Sequence, residues 1–132
     1  MNHYWAAEAP WIHHGTADAQ GAAFLLPPPG TSFVARLDGA EAGDEQRLFE
    51  QLSVRLRLPA YFGWNWDALS DCLRDLAWLP ADHYLLVVER SALLLRECPE
   101  ARETLFGVLE TAGRHWARRP DLPGRSFNSL LL

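Results

Sequence analysis

Leu58–Leu76 reads LPAYFGWNWDALSDCLRDL. It begins as a loop and continues as a helix. Pro59 disfavours helix at Leu58, and Tyr61, Phe62, Gly63 and Trp64 make an aromatic, glycine-containing turn. Asn65 is a good N-cap, because its side chain can accept a hydrogen bond from an orphan amide of the first helical turn. Beyond it, Leu69, Cys72, Leu73 and Leu76 stand at i, i+3, i+4 and i+7, the spacing of one buried helix face. Asp67, Asp71 and Asp75 step round the same helix by about 40° each, at about 100° per residue. They share a stripe opposite the apolar face, with Arg74 near it.

Elements on either side complete an α/β pattern. Asp44–Leu56 carries Leu48, Phe49, Leu52 and Leu56 on one stripe and reads as a helix. Phe33–Leu37 before it is a short strand closed by the turn signal Asp38-Gly39. Downstream, Tyr84–Glu89 (YLLVVE) is a near-continuous apolar run, as in a strand buried on both faces. Ser91–Arg96 is a short helical turn with Ser91 as its N-cap. Glu100–Ala117 is a longer helix with Leu105, Val108, Leu109 and Ala112 inward, and Ser126–Leu132 is a final strand. Strands separated by helices imply a parallel sheet built from βαβ units. Residues 1–32 differ in character: Tyr4, Trp5 and Trp11 are followed by small residues and by Pro27-Pro28-Pro29-Gly30, which ends any regular element. They read as an N-terminal extension packed on a domain of residues 33–132, with a possible short strand at Ala22–Leu26. Such a segment can add an edge strand, cover the sheet or support dimerisation.

Composition narrows the function. With 132 residues, 48% of them hydrophobic, and six tryptophans, the chain can build one packed core. A net charge of −5 argues against general nucleic-acid binding, which needs a basic face. All twelve basic residues are Arg. Arg114, Arg118, Arg119 and Arg125 cluster late in the chain, where the macrodipole of a helix C-terminus favours cations. Cys72 and Cys98, without a secretory signal pattern, point to free thiols and a cytoplasmic location. No apolar run is long enough to span a bilayer. His3, His13, His14, His83 and His115 match no metal-ligand spacing and read as surface or capping residues. Gly63 is the lone glycine of its loop, so no phosphate cradle is indicated. Neither a metal nor another cofactor is expected.

Three readings of Asp67, Asp71 and Asp75 stand open on spacing alone. They can be a solvated helix face. Two of them can form an acid/base pair, as in glycoside hydrolysis, although a chain this short leaves little room for an enclosed site. Or they can join the run Tyr61, Phe62, Trp64 and Trp66 in a docking surface whose side chains, Phe62 included, meet a partner, since contiguous exposed aromatics mark contact sites. Ser70, beside Asp71, carries no nucleophile signature.

The Leu58–Leu73 stretch resembles the barstar family, intracellular inhibitors of secreted ribonucleases. The family pattern, LP-x-YYG-x-NLDALWDCL, is matched by Leu58, Pro59, Tyr61, Gly63, Asn65, Asp67, Ala68, Leu69, Asp71, Cys72 and Leu73. A weaker likeness runs from about Phe33 to Leu132. The resemblance implies an α/β fold with a small parallel β-sheet of three core strands flanked by helices. It also implies a monomeric inhibitor, an antitoxin or immunity protein, with no catalytic residues. Its partner would be a cognate ribonuclease or toxin nuclease domain. Carried over by position, Asp71 is the central anion entering the nuclease's cationic site, Asp67 is a second, and Tyr61 packs at the mouth. Gly63 and Asn65 shape the loop, and Glu110 is a further acidic contact. Phe62 and Ser70 stand where the family has Tyr and Trp, and Trp64 and Trp66 stand where it has a charged residue and Leu. These departures keep the scaffold but allow a different nuclease, or a non-nuclease partner bound through the same face.

Overall fold

Tyr84–Val88 run through the middle of the molecule. In the computed structural model, which describes residues 3–15 and 27–132, they belong to β3 (His83–Glu89). This strand is flanked by β2 (Ser32–Asp38) and β4 (Ser126–Leu131), and β4 by β1 (Ile12–His14). The sheet has four strands in the order β1-β4-β3-β2, all parallel. Val34, Leu85 and Asn128 form one row across it, and Ala35, Leu86 and Ser129 the next, on the opposite face. The strand expected at Ala22–Leu26 lies outside the described residues.

Three helices cover one face: α1 (Glu45–Arg55), α2 (Trp66–Asp75) and α3 (Glu100–Ala117). Leu48, Phe49 and Leu52 of α1, Leu69, Cys72 and Leu73 of α2, and Leu105, Leu109 and Trp116 of α3 are buried there. They pack with Leu37, Tyr84, Leu86, Val88, Phe127 and Leu131 of the sheet. Asp44 caps α1 by accepting from the Arg47 amide at 2.8 Å. Among the described residues, no helix is long and apolar enough to cross a membrane.

The other face is closed by the N-terminal segment rather than by a helix. Trp5, on a single 3-10 turn (His3–Trp5), packs on Leu85, Val87 and Leu130 in a second, smaller core. The same segment supplies β1, so it both covers the sheet and lengthens it. Trp11 presses on α3: a Cβ added to Gly113 would lie 2.4 Å from the Trp11 ring. Asn128 ties the segment down, donating to the Ala6 carbonyl at 2.9 Å and bonding His13 Nε2 at 2.9 Å.

Three local expectations are corrected. Ser91 does not cap its 3-10 turn; Arg90 holds the N-cap position in left-handed backbone, and the Ser91 hydroxyl donates to the Leu132 carbonyl at 2.8 Å. Val108 is only half-buried, at the margin of the α3 core. His13 and His83 are buried, not surface residues. His83 Nδ1 bonds Ser126 Oγ at 2.8 Å, and burial, the largest influence on its ring, holds its pKa below the usual 6.5.

Candidate functional site

The acidic helix is fixed at both ends. Asn65 Oδ1 accepts from the Ala68 amide at 2.8 Å, and its Nδ2 donates back to the Gly63 carbonyl at 3.1 Å. One side chain therefore caps α2 and ties the loop before it. At the other end Leu76 turns into left-handed backbone and closes the helix with its amide on Cys72. Leu73 has one of the orphan carbonyls of the last turn, and the buried Trp116 indole donates to it at 2.8 Å. The Trp78 indole donates to Leu56 at the end of α1 at 3.0 Å.

The loop aromatics divide into two pairs. Tyr61 and Trp64 point outward, 71% and 50% exposed. Phe62 is buried, edge-on to Phe49 of α1 at 5.9 Å between ring centres. Trp66 is half-buried against the same Phe49, and its indole donates to the Glu45 carboxylate at 2.6 Å. The expectation that the Phe62 side chain meets a partner is thus corrected: its ring holds the loop to α1 and supports Trp64, whose ring lies 5.3 Å away. Trp64 keeps a left-handed backbone (φ 56°). On its far side a hollow of about 450 Å³ is bounded by Glu45, Gln46 and Phe49.

Asp67 and Asp71 are exposed on the outer face of α2, and Ser70 is half-buried between them. At i and i+4 their Cβ atoms stand about 5–6 Å apart. Asp71 already has a partner, because Arg74 donates to its carboxylate at 2.5 Å and to the Ser70 carbonyl at 3.2 Å. Asp75 continues the stripe into an open groove of about 830 Å³ that runs between α2 and α3 and is shared with Asp71. From α3 it is Thr111, Arg114 and His115 that line this groove. Glu110 is exposed on α3 and, like Asp67, is not among the residues that line the groove. Arg125 does not line the groove either; it pairs with Asp82 at 3.2 Å and donates to the Ala81 carbonyl. Arg74 joins Arg114, Arg118 and Arg119 instead. Residue spacing within one helix could not reveal that meeting of two helices.

The acids stand on an exposed helix face with no enclosed cavity around them. Cys72 lies beneath it, and burial, reinforced by Asp71 and Asp75, raises its thiol pKa, which makes it a poor nucleophile. Among the described residues, no group of three or more His, Cys, Asp or Glu could hold a metal ion. What the site offers is two carboxylates and two exposed rings on a loop and helix tied by the Asn65 and Trp116 hydrogen bonds.

Among curated proteins, none matches the chain. The sequence profile described as barstar, barnase inhibitor, matches residues 32–126. The match takes in β2, β3, all three helices and the loop that carries Tyr61 and Trp64. With the parallel sheet, the capped acidic helix and a match over more than half its length, the chain belongs to the barstar family.

Proposed function

We propose that this protein is a cytoplasmic, monomeric inhibitor of a cognate ribonuclease or ribonuclease-type toxin, and that it blocks that enzyme's cationic active site. The observation that carries the reading is the exposed pair Asp67 and Asp71 on a helix pinned at both ends, beside the outward rings of Tyr61 and Trp64. A ribonuclease holds phosphate with cationic side chains. Fixed carboxylates can occupy those positions and offer no bond to cleave. Opposite charge steers the encounter, and paired charges in a desolvated contact slow release. Asp71 acts as the central anion and Asp67 as the second. Tyr61 packs at the rim, Gly63 and Asn65 present the loop backbone, and the protein itself catalyses nothing. Residues 1–32 act as an extension of the inhibitory domain.

Inhibition of a barnase-type ribonuclease by Asp71→Ala and Glu8→Ala tests the reading. Asp71→Ala should weaken inhibition at least a hundredfold and Glu8→Ala less than twofold. Equal inhibition by the two variants would remove α2 from the contact.

A second reading keeps the face and changes the partner. Small Ser70 between the acids and the exposed Trp64 beside the Glu45 hollow depart from the family pattern and suit a contact of different shape. Failure to protect against any co-expressed ribonuclease, with a non-nuclease partner still bound through Asp71, favours that reading.

A further inference from the structure

The groove between α2 and α3 has a charge pattern unlike the rest of the chain. The protein carries a net −5, yet Arg74, Arg114, Arg118 and Arg119 outnumber the three aspartates lining the groove. Two of these arginines are held by aromatic faces, Arg114 over Trp11 at 5.5 Å and Arg119 over Trp116 at 4.9 Å. Asp121 neutralises Arg119 at 2.9 Å and Asp71 neutralises Arg74. Among the described residues, no carboxylate pairs with Arg114 or Arg118. Arg114 is therefore a cation fixed in place on a ring, with Arg118 exposed one turn further along.

We propose that this groove receives an acidic segment of the protein that Asp71 binds. The identity of that protein rests on the inhibitor reading above. The position follows from Asp71, which belongs both to the outer face of α2 and to the groove, so a partner seated on one overhangs the other. The sign follows from the unpaired guanidiniums. A polyphosphate or RNA strand fits less well, because Asp71, Asp75 and Asp121 on the same walls would repel a run of phosphates. A protein surface, with a carboxylate next to its cations, matches the alternation. Arg74 then has a role in the exchange: as Asp71 passes to a cation of the partner, Arg74 is released to take the partner's carboxylate.

A blocked Glu-Lys-Glu peptide is the probe, titrated at low ionic strength into the 15N-labelled protein. Saturable shifts of the Thr111, Arg114 and Arg118 amides are expected, with the apparent Kd raised at least threefold in Arg118→Ala. Arg118 is exposed, so this variant leaves the core untouched. Absence of shifts in the groove, an unchanged Kd in the variant, or tighter groove binding by inorganic diphosphate or an RNA pentanucleotide would each overturn the proposal. None of these outcomes involves a nuclease, so the inhibitor reading stands or falls separately on Asp71→Ala.

Discussion

Truncating Trp5 asks whether the N-terminal segment belongs to the cooperative fold. Trp5 is 1% exposed and packs on Leu85, Val87 and Leu130, themselves at most 1% exposed. Removing a buried indole to the β-carbon costs about 3–5 kcal/mol in packing and cavity terms. One contribution runs the other way. The Trp5 indole N–H is buried with no hydrogen-bond partner among the described residues, and losing an unsatisfied donor returns about 1–3 kcal/mol. The expected net loss for Trp5→Ala is about 2–3 kcal/mol, a large share of the roughly 5–15 kcal/mol that holds a domain of this size. Trp5→Phe drops the same donor while keeping a ring on the sheet, so it should cost less than about 1 kcal/mol. Urea unfolding at pH 7, followed through the midpoint at constant m, measures both. Trp5 lies on the sheet face opposite α2, so inhibition per folded molecule should not change. A Trp5→Ala midpoint equal to the parent's would refute the reasoning, because the segment would then add nothing to the core. So would a Trp5→Phe loss as large as that of Trp5→Ala.

Asn65→Ala removes a helix cap and a loop tie together, and should cost about 1–2 kcal/mol. Asn65→Asp restores the cap and suits the helix dipole but has no N–H for the Gly63 carbonyl, so it should recover only the cap's share of the loss; a stability still as low as in the alanine variant would show that the cap is not what Asn65 supplies. Gly39→Ala places a Cβ 2.3 Å from the Arg90 carbonyl oxygen at the β2 end; a loss of about 1–3 kcal/mol is expected in thermal or urea unfolding, and a neutral variant would mean that this approach is looser than described. His83 bears on acid stability. Its folded pKa lies below the ordinary 6.5, so the unfolded chain takes up the proton first. Its contribution is intact above about pH 6.5 and is lost as pH falls from there toward the folded value. An NMR titration of the imidazole should give a midpoint under 6.5, and a midpoint above it would reverse the sign.

Much of this was legible in the sequence because several signals coincide at α2. Asn65 and the apolar positions Leu69, Cys72, Leu73 and Leu76 all mark the same helix, and Pro59 ends the one before. α3 begins and ends at Glu100 and Ala117, where its periodicity starts and stops. β1 was not legible: three residues, IHH, have neither alternation nor length, and they are extended because β4 offers an open edge. The four loop aromatics have no period either. Which two turn inward depends on where Phe49 and Glu45 of α1 come to rest. The burial of His83 depends on Ser126 across the sheet. The groove was hidden for a similar reason, since Arg74 and Arg114 belong to different helices.

The three residues of β1 have a consequence for solubility. Without them β4 would present unpaired amides and carbonyls along an open margin, a template on which another chain could polymerise. Ile12–His14 pair with Ser129–Leu131 of that margin and put in its place an edge only three residues long. The opposite margin, β2, carries Arg36 paired with Glu89, and Asp38 paired with Arg90, charges that discourage strand-to-strand growth. Both margins of the sheet thus discourage it from growing into fibres with copies of itself.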